Sequence, residues 1–516
     1  MVTYIGVLVL GIDGLGFEGL RALGKYGLFR SLNYLLDRGA TAPVKTCFPP
    51  QTIPAWISLF TGVNPGKHGV FSFLRHENRK HRLCSALDVK FPPVYELLSM
   101  LGHKVALINI PLSYPFPVLN GVGIPDWLAP SKKIFIRRVG RFRNIIADIT
   151  SDYIFPRISR YRKIITYSES IVSGIEARRW VVEGLMELEF IDHYFIVLSE
   201  LDWIFHRYYD RVINGSIPRR LFDILKAFDG MISGLIRRSI KRNMNIFVVS
   251  DHGFHTYDKI ICVNDLLKKL GYASGISVRR VSEAKRGNIR MVDPSINMRI
   301  GFRMLPPLLS ITYSTKLMHA FSMRIYKYMM RSGLRLFVDT EKSRAFALLN
   351  IPAFFIAINK KIKPNHKSLL IQDIINKLSR LSIDNTRLFS MVKRREDVYH
   401  GPYTHLAPHI CIFGNINHGF LTSPIVTGRC IIERKTNYHD FQAIFIAYGD
   451  DIPRYRLEKI KIYDISPTIL GTLGIPIQKG LDGSSLLRDT SMHDYMKTWC
   501  IARRLTSSPQ FHCGES

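Results

Sequence analysis

The clearest pattern along the chain is a set of short apolar runs, each ending at turn-forming residues. The first three are Val7–Ile12, residues 194–198 and Asn245–Val249, and residues 442–447 form a fourth near the end of the chain. Continuous apolar runs of this length are typical of parallel strands buried on both faces of a sheet. We therefore predict that the chain opens with a buried strand.

Helical patterns lie between these runs, for example at residues 32–36, 177–189 and 465–473. Strands that alternate with helices indicate an α/β fold with a doubly wound, mostly parallel sheet. Ligands of such sheets bind beyond the carboxyl ends of the strands. A carboxylate follows each of the first three strands, so we expect the chemistry at that edge.

Two regions break the alternation. Residues 131–165 are dense in Lys and Arg, and residues 275–430 show no strand–helix repeat, although the apolar run 346–358 predicts a strand of a second sheet. We expect the first region to be a loop on the catalytic rim or a solvated charged face. The predicted division of the chain is a catalytic core of residues 1–274 and 431–490, an inserted smaller lobe of 275–430 and a C-terminal tail of 491–516.

Composition adds a strong positive charge to this picture. The 516 residues are 47% apolar, which is ordinary for a globular protein, but 72 Lys and Arg face only 41 acidic residues, giving a net charge of +31. Such an excess attracts anions. The partners it favours are an anionic phosphate-ester substrate and weak contact with nucleic acid or an anionic membrane surface. A generally charged surface explains it equally well.

The seven cysteines are scattered, and no two have C-x-x-C spacing. An odd number without regular spacing does not indicate a disulfide framework and favours a reducing compartment, so we expect a cytoplasmic protein. The opening apolar run lacks a basic segment before it and ends in a Gly-rich turn, unlike a signal peptide. No apolar run reaches the roughly 20 residues of a membrane span.

Candidate catalytic residues stand where the predicted strands end. Asp13 follows the first strand, and Asp251 and His252 follow the third, although Asp-Gly turns are also common without any catalytic role. Asp202 and His206 are four residues apart, which places both on one face if the segment is helical. His439 precedes the last apolar run, where a lone histidine is more often structural.

Thr52 lies where a helix is predicted to begin, because Pro54 is tolerated only in a first helical turn. The simplest interpretation is a helix N-cap. The same position also suits a nucleophile for phosphate, since the amides and dipole of a helix N-terminus attract anions. Oxygen and imidazole ligands without thiolates suit Zn²⁺ or Mn²⁺, and two such ions can clamp a phosphoryl group in transfer.

Taken together, these segments resemble the type I phosphodiesterase/nucleotide pyrophosphatase family of the alkaline phosphatase superfamily. The resemblance is carried, in family order, by residues 11–14 (GIDG), 50–56 (PQTIPAW), 61–69 (TGVNPGKHG), 202–206 (DWIFH), 250–253 (SDHG), 437–439 (NYH), 463–470 (YDISPTIL) and 481–483 (LDG). The match spans nearly the whole chain.

The resemblance implies an alkaline phosphatase-like fold and two divalent metal ions, with Zn²⁺ first and Mn²⁺ as the alternative. One ion would be held by Asp13, Thr52, Asp251 and His252, and the other by Asp202, His206 and His439. Thr52 would attack phosphorus and form a phosphothreonine. The implied activity is hydrolysis of phosphate esters, including diesters.

Two positions depart from the family pattern. Ser72 stands in the region where eukaryotic members carry a phosphate-binding Asn, and Asp440 follows His439 where the family has Arg.

Three other functions are alternatives to hydrolysis. A sulfatase would need Arg at the position of Trp56. A phosphomutase of the same superfamily usually carries Ser rather than Thr52, and a basic binding protein that has lost activity would not need the complete ligand set.

Overall fold

The structure is a computed structural model, and it describes residues 5–77, 80–161, 163–275, 277–283, 290–292, 334–348, 352–487 and 491–506. It divides into two compact units. The first consists of residues 1–256, 399–406 and 437–516, and the second of residues 257–398 and 407–436. The predicted lobe of 275–430 has different bounds from the second unit. Parts of that lobe, of the run 346–358 and of the tail, together with Arg162 of the basic region, lie outside the described residues.

The helices and strands are numbered here in chain order. The helices are α1 (Phe17–Gly24), α2 (Arg30–Arg38), α3 (Thr52–Thr61), α4 (Pro65–His68), α5 (Val94–Met100), α6 (Arg143–Ser151), α7 (Ile158–Tyr161), α8 (Ile164–Met186), α9 (Glu200–Ile213), α10 (Arg219–Lys241), α11 (Val263–Lys269), α12 (Pro364–Arg380), α13 (Ile465–Thr472) and α14 (Met496–Thr506). The strands are β1 (Val7–Ile12), β2 (Ala40–Lys45), β3 (Leu74–Glu77), β4 (Lys80–Leu83), β5 (Val105–Ile108), β6 (Gly121–Ile124), β7 (Phe135–Arg137), β8 (His193–Leu198), β9 (Asn245–Val249), β10 (Gly253–Cys262), β11 (Ser277–Glu283), β12 (Arg290–Val292), β13 (Leu334–Phe337), β14 (Ala345–Ala347), β15 (Phe355–Ile358), β16 (Ser382–Ile383), β17 (Thr386–Arg387), β18 (Phe389–Arg394), β19 (Ile410–Gly414), β20 (Phe420–Ser423), β21 (Ile431–Asp440), β22 (Gln442–Tyr448), β23 (Tyr455–Arg456), β24 (Ile460–Lys461), β25 (Ile477–Gln478) and β26 (Met492–His493).

The first unit is built on one large sheet with the strand order β23-β2-β22-β9-β1-β8-β5-β6-β7, in which β24 also pairs with β2. The five central strands from β9 to β6 are all parallel. β22 runs antiparallel to both β2 and β9, and β7 runs antiparallel to β6. The sheet is therefore mixed but mostly parallel.

Burial of β1 shows that both faces of this sheet are covered. All six of its residues are buried, and neighbouring side chains of a strand point to opposite faces. On the face of Val7 and Val9, the core includes Trp56 and Phe60 of α3, whose rings stack 5.6 Å apart. Gly11 makes this packing possible, because a Cβ atom there would lie 2.4 Å from the Trp56 ring.

The second unit has a core of its own, formed around α11 and α12. Its four-stranded sheet has the order β14-β15-β19-β18. The single strand predicted across residues 346–358 is wrong, because β14 and β15 pair antiparallel as two separate strands. Asn350 and Pro352 interrupt the apolar run, and these turn-forming residue types were the sign in the sequence of two strands rather than one.

Part of the predicted C-terminal tail is helical. α14 occupies 496–506 within the predicted tail, and Trp499 and Arg503 on it are fully buried. Among the described residues, no helix combines the length and the apolar character needed to cross a membrane.

Candidate metal centre and nucleophile

Three neighbouring strands bring three carboxylates together at one edge of the large sheet. β1 lies between β9 and β8, so residues that follow these strands must meet. Asp13 comes directly after β1, Asp251 comes two residues after β9, and Asp202 lies in the first turn of α9, which follows β8. All three carboxylates are buried, as expected from the strand pattern.

Asp13, Asp251 and His252 form the first group of possible metal ligands, with ligand atoms within 4.8 Å of one another. His252 Nε2 lies 3.2 Å from Asp251 Oδ2 and 3.7 Å from Asp13 Oδ1. The other oxygen of Asp251 accepts a hydrogen bond of 3.2 Å from the Gly14 amide, which fixes the carboxylate in the turn after β1.

Asp202 and His439 form a second such group with the same His252. His439 Nε2 lies 3.0 Å from Asp202 Oδ1 and 3.1 Å from His206 Nε2. His206 stands one helical turn after Asp202 on α9, with its Nε2 3.5 Å from Asp202 Oδ1. The predicted helix spacing thus places both side chains on one face, and the two groups join into one cluster.

Hydrogen bonds on the far side of two imidazoles show which nitrogen faces the cluster. His252 Nδ1 donates to the Gly253 carbonyl at 3.2 Å, and His439 Nδ1 donates to the Pro50 carbonyl at 3.0 Å. In a neutral His252, Nε2 then carries its lone pair toward Asp251 and Asp13. At 3.2 and 3.7 Å, this lone pair and those of the two carboxylate oxygens repel each other, and a bound cation would relieve the repulsion.

Four atoms at the centre of the cluster are buried without a hydrogen-bond partner: Asp13 Oδ1, Asp202 Oδ1, Asp251 Oδ2 and His252 Nε2. Unsatisfied buried polar atoms are rare in proteins because each costs about 1–3 kcal/mol. Four of them converging on one place, all of types that bind Zn²⁺ or Mn²⁺, fit a metal centre.

The electrostatics of the cluster also fit cations. Burial, followed by the charges of Asp251 and Asp202, raises the pKa of Asp13 well above its ordinary value, and burial together with Asp202 does the same for the pKa of Asp251. Burial alone would also raise the pKa of Asp202, but His206 and then His439 hold it below its ordinary value. Burial, and then His439, lowers the pKa of His252. Three buried carboxylates without a Lys or Arg ion-pair partner in the described chain are therefore a site of high negative potential.

Thr52 is the first residue of α3 and is buried. The prediction that it is the N-cap is wrong, since Gln51 with its extended backbone holds that position. The first amides of a helix have no partner within the helix, and Pro54 removes one of them. Thr52 therefore carries its hydroxyl at the positive end of the α3 dipole, beside amides that can bind an anion.

The segment before Thr52 is tied to the carboxylate cluster. The Pro50 carbonyl, two residues before Thr52, accepts the hydrogen bond from His439. Trp56, one turn after Thr52, packs against Gly11 of β1, the strand that leads to Asp13. These contacts fix both sides of Thr52 relative to the ligand-bearing elements, and all seven predicted residues lie in the first unit.

A buried ion pair beside the cluster was missed by sequence analysis. Arg178 of α8 and Glu200 of α9 are each almost fully buried and are bonded to each other. A pattern could have revealed this pair, because Ile171, Ile175, Val182 and Leu185 form the buried face of α8 and Arg178 continues it at helical spacing. Ser72, which departs from the family pattern, is also buried.

Comparisons with known proteins identify the family of the chain. Residues 7–306 match the family described as type I phosphodiesterase/nucleotide pyrophosphatase. The chain is 23% identical over 270 residues to ectonucleotide pyrophosphatase/phosphodiesterase family member 3 of Bos taurus, a match over 52% of this chain and 27% of that protein. It is 25% identical over 280 residues to family member 1 of Homo sapiens, over 52% and 26% of the two chains. The chain thus spans about a quarter of the length of these curated relatives.

Solved structures show the same fold at low sequence identity. Phosphonoacetate hydrolase from Sinorhizobium meliloti 1021 in complex with phosphonoformate matches with a TM-score of 0.55 at 13% identity, over 90% of this chain and 94% of that one. A mutant of the alkaline phosphatase PafA matches with a TM-score of 0.55 at 12% identity, over 94% and 99% of the two chains. The predicted alkaline phosphatase-like α/β fold is confirmed.

Proposed function

We propose, since the chain belongs to the type I phosphodiesterase/nucleotide pyrophosphatase family, that it hydrolyses phosphate esters with Thr52 as the nucleophile and two divalent metal ions as cofactors. The observation that carries this proposal is the convergence of four buried, unsatisfied ligand atoms on one place. Family membership alone indicates hydrolysis of phosphate esters, and the cluster supplies the residues that could perform it.

The cluster provides ligands for two ions. Asp13, Asp251 and His252 would hold one together with Thr52, and Asp202, His206 and His439 would hold the other. Zn²⁺ suits this mixture of carboxylates and imidazoles, and Mn²⁺ is the alternative. When bound, such ions lower the pKa of a coordinated hydroxyl and neutralise charge on the phosphoryl group.

The protein's own part in the reaction begins with Thr52. Its Oγ attacks phosphorus, the bond between phosphorus and the leaving oxygen breaks, and the hydroxyl proton ends on the departing alcohol. The free amides at the start of α3 bind an oxygen of the phosphoryl group and orient it for attack. Water then breaks the bond between phosphorus and Thr52 Oγ, which regenerates the hydroxyl and releases phosphate or a phosphomonoester.

The basic segment of residues 132–163 supports capture of an anionic substrate. Lys132 Nζ donates to the Asp126 carbonyl at 2.5 Å. Trp127, which follows Asp126, packs its ring 5.6 Å from the ring of Trp203, the residue after Asp202. One end of the segment is therefore close to the metal ligands. Exposed charges act over about 8 Å at physiological salt and mainly change the rate of substrate capture.

Replacing Arg137, Arg138, Arg141 and Arg143 with Gln tests this part of the proposal. We expect kcat/KM for a highly charged substrate to fall and its salt dependence to flatten, while kcat stays almost unchanged. A salt dependence equal to that of the wild type would favour a merely solvated face. Weak contact with nucleic acid or an anionic membrane is a further proposal that rests on the same charge.

Thr52→Ala tests the nucleophile directly. We expect turnover of bis(p-nitrophenyl) phosphate to be abolished while the thermal melting curve is retained, because the variant removes one hydroxyl and keeps the helix. Trapping of the wild type during turnover should give a phosphorylated peptide containing Thr52 by mass spectrometry.

Thr61→Ala is the matched control, since Thr61 lies at the other end of α3 and its hydroxyl donates only to the Ile57 carbonyl, at 2.6 Å. It should keep nearly full activity. If Thr52→Ala retained more than a few per cent of the wild-type rate, Thr52 would not be the nucleophile.

A further inference from the structure

The first turn of α9 rests on a buried arginine. Arg178 Nη2 donates to Glu200 Oε1, and Arg178 Nη1 donates to the Ile154 carbonyl at 3.2 Å. The Arg178 and Glu200 side chains are only 2% and 1% exposed. Glu200 opens α9, so the carboxylate held by Arg178 is two residues from Asp202 and six from His206.

The surroundings of Arg178 extend this support to the neighbouring loop. Tyr161 interacts electrostatically with Arg178, and its ring packs 5.0 Å from the ring of Trp203, the residue after Asp202. Tyr153 is buried nearby, and its hydroxyl donates to Asn109 Oδ1 at 2.9 Å, just beyond β5. One guanidinium therefore connects α8, the loop before α7 and the start of α9.

We propose that Arg178 is a positioning residue for the metal ligands of α9: its bond to Glu200 sets the start of the helix, and with it the place of Asp202 and His206. This inference rests on the proposed function, because it takes these two side chains as ligands. Groups that are hydrogen-bonded to a metal ligand change the metal affinity 10- to 100-fold when they are replaced. Arg178 acts through Glu200, two residues before Asp202, so we expect an effect at the lower end of that range.

Stability alone gives a poor reason for an arginine at this place. A buried ion pair is often no more stabilising than well-packed apolar residues of similar volume, because removing both charges from water is costly. The planar guanidinium differs from an apolar side chain in fixing several acceptors at once in defined directions. Arg178 does this for Glu200 and Ile154, and these bonds fix the direction in which α9 leaves β8.

The test separates positioning from stability by removing one charge and then both. Arg178→Met leaves Glu200 buried and unpaired, so we expect a melting temperature several degrees lower and Zn²⁺ affinity at one site about tenfold weaker by calorimetry. Arg178→Met combined with Glu200→Gln removes the unpaired charge. We expect the melting temperature to recover in the double variant, while Zn²⁺ affinity and kcat stay low.

Recovery of metal affinity and kcat together with the melting temperature would overturn the proposal, and so would wild-type metal affinity in both variants. Arg178→Lys covers the case in which the Met variants do not fold, because it keeps the charge but loses the planar fork. It should remain folded with weakened Zn²⁺ binding, and wild-type affinity in this variant would also overturn the proposal.

A second buried pair provides the matched control. Arg503→Met combined with Glu96→Gln removes an equally buried ion pair in the same unit, between α14 and α5. It should leave Zn²⁺ affinity and kcat at their wild-type values. Calorimetry measures metal binding and needs no turnover. An inactive wild type that still binds two ions would therefore contradict the proposed function. The role of Arg178 would still be decided by the Zn²⁺ affinities of its variants.

Discussion

The first unit contains two kinds of buried charge, and their hydrogen bonds differ completely. Under α14, Arg503 Nη2 and Nε donate to the two oxygens of Glu96 at 2.7 and 2.9 Å, and its Nη1 donates to the Ala86 and Val89 carbonyls. Trp499 Nε1 completes the pair by donating to Glu96 at 2.6 Å. At the edge of the sheet, Asp13, Asp202 and Asp251 are equally buried but have oxygens without hydrogen-bond partners.

The difference shows what each region needs in order to be stable. A buried ion pair whose donors and acceptors are all satisfied is complete within the chain, and it holds α14 against α5. A group of like charges with unsatisfied oxygens is complete only when something positive binds to it. Burial of charge alone therefore does not identify a functional site, whereas several unsatisfied ligand atoms within 4.8 Å of one another indicate one.

The largest effect is expected where a carboxylate is removed from the unsatisfied cluster. Asp251→Asn should lower turnover by roughly two orders of magnitude or more, since bound metal ions supply several kcal/mol of transition-state stabilisation. Elemental analysis should show the loss of about one ion per chain.

The metal-free form of the same variant should move in the opposite direction. Burial and the charge of Asp202 raise the pKa of Asp251, so the neutral amide should raise the melting temperature of protein treated with chelator. A metal-free variant less stable than metal-free wild type would contradict the repulsion that we infer.

A smaller effect on activity but a large effect on stability is expected at the Arg503–Glu96 ion pair. Arg503→Met leaves Glu96 buried without its partner, which typically destabilises a protein by about 3–5 kcal/mol. Chemical denaturation should detect this loss, while kcat of the folded enzyme should stay at its wild-type value. A marked fall in kcat would show that the two regions are coupled.

The smallest effect is expected at Asp88, because its carboxylate is buried but its arginine partners are partly exposed. Its carboxylate is 5% exposed, but its partners Arg82 and Arg75 are 45% and 28% exposed. Burial alone would raise the pKa of Asp88, yet the hydrogen bonds from Arg82 and the Ser85 amide and the charges of both arginines lower it. A lowered pKa in the folded state stabilises the protein above about pH 4, the ordinary value for Asp, and this contribution is lost as pH falls through the folded pKa.

Comparing Asp88→Asn with wild type at several pH values measures this contribution. At pH 7 the variant should be less stable by about 1 kcal/mol or less, because partly exposed ion pairs are screened by water. The difference between the two melting temperatures should shrink as the pH is lowered below 4. A difference that does not change with pH would show that the ionised carboxylate contributes nothing.

The sequence predicted most of the sheet edge, for a physical reason. Strands buried on both faces must be continuously apolar, so Val7–Ile12 and Asn245–Val249 were found with their observed bounds. The edge at which Asp13 and Asp251 meet then follows from the parallel arrangement of such strands. Family membership and fold are confirmed by the comparisons, whereas the roles of the seven residues, the metal and the cytoplasmic location stay predictions.

What the sequence did not predict depends on contacts between distant segments. Arg503 meets Glu96 only because α14 and α5 pack together, so that pair leaves no local pattern of spacing. The buried face of α8 indicates that Arg178 is buried, but it does not identify Glu200 as the partner. His439 was assigned as a lone histidine before a strand, and its contact with the Pro50 carbonyl joins positions 389 residues apart. By contrast, the division of residues 346–358 between two strands was missed although Asn350 and Pro352 interrupt the apolar run.

Metal titration of the chelator-treated protein tests the central claim most directly. Zn²⁺ or Mn²⁺ would be added in steps while bound metal, melting temperature and turnover of bis(p-nitrophenyl) phosphate are measured on the same samples. The account predicts no turnover without metal, a rise in melting temperature as metal binds, and full activity only as two ions per chain are reached. Full activity in excess chelator, or saturation of activity with no metal bound, would contradict it.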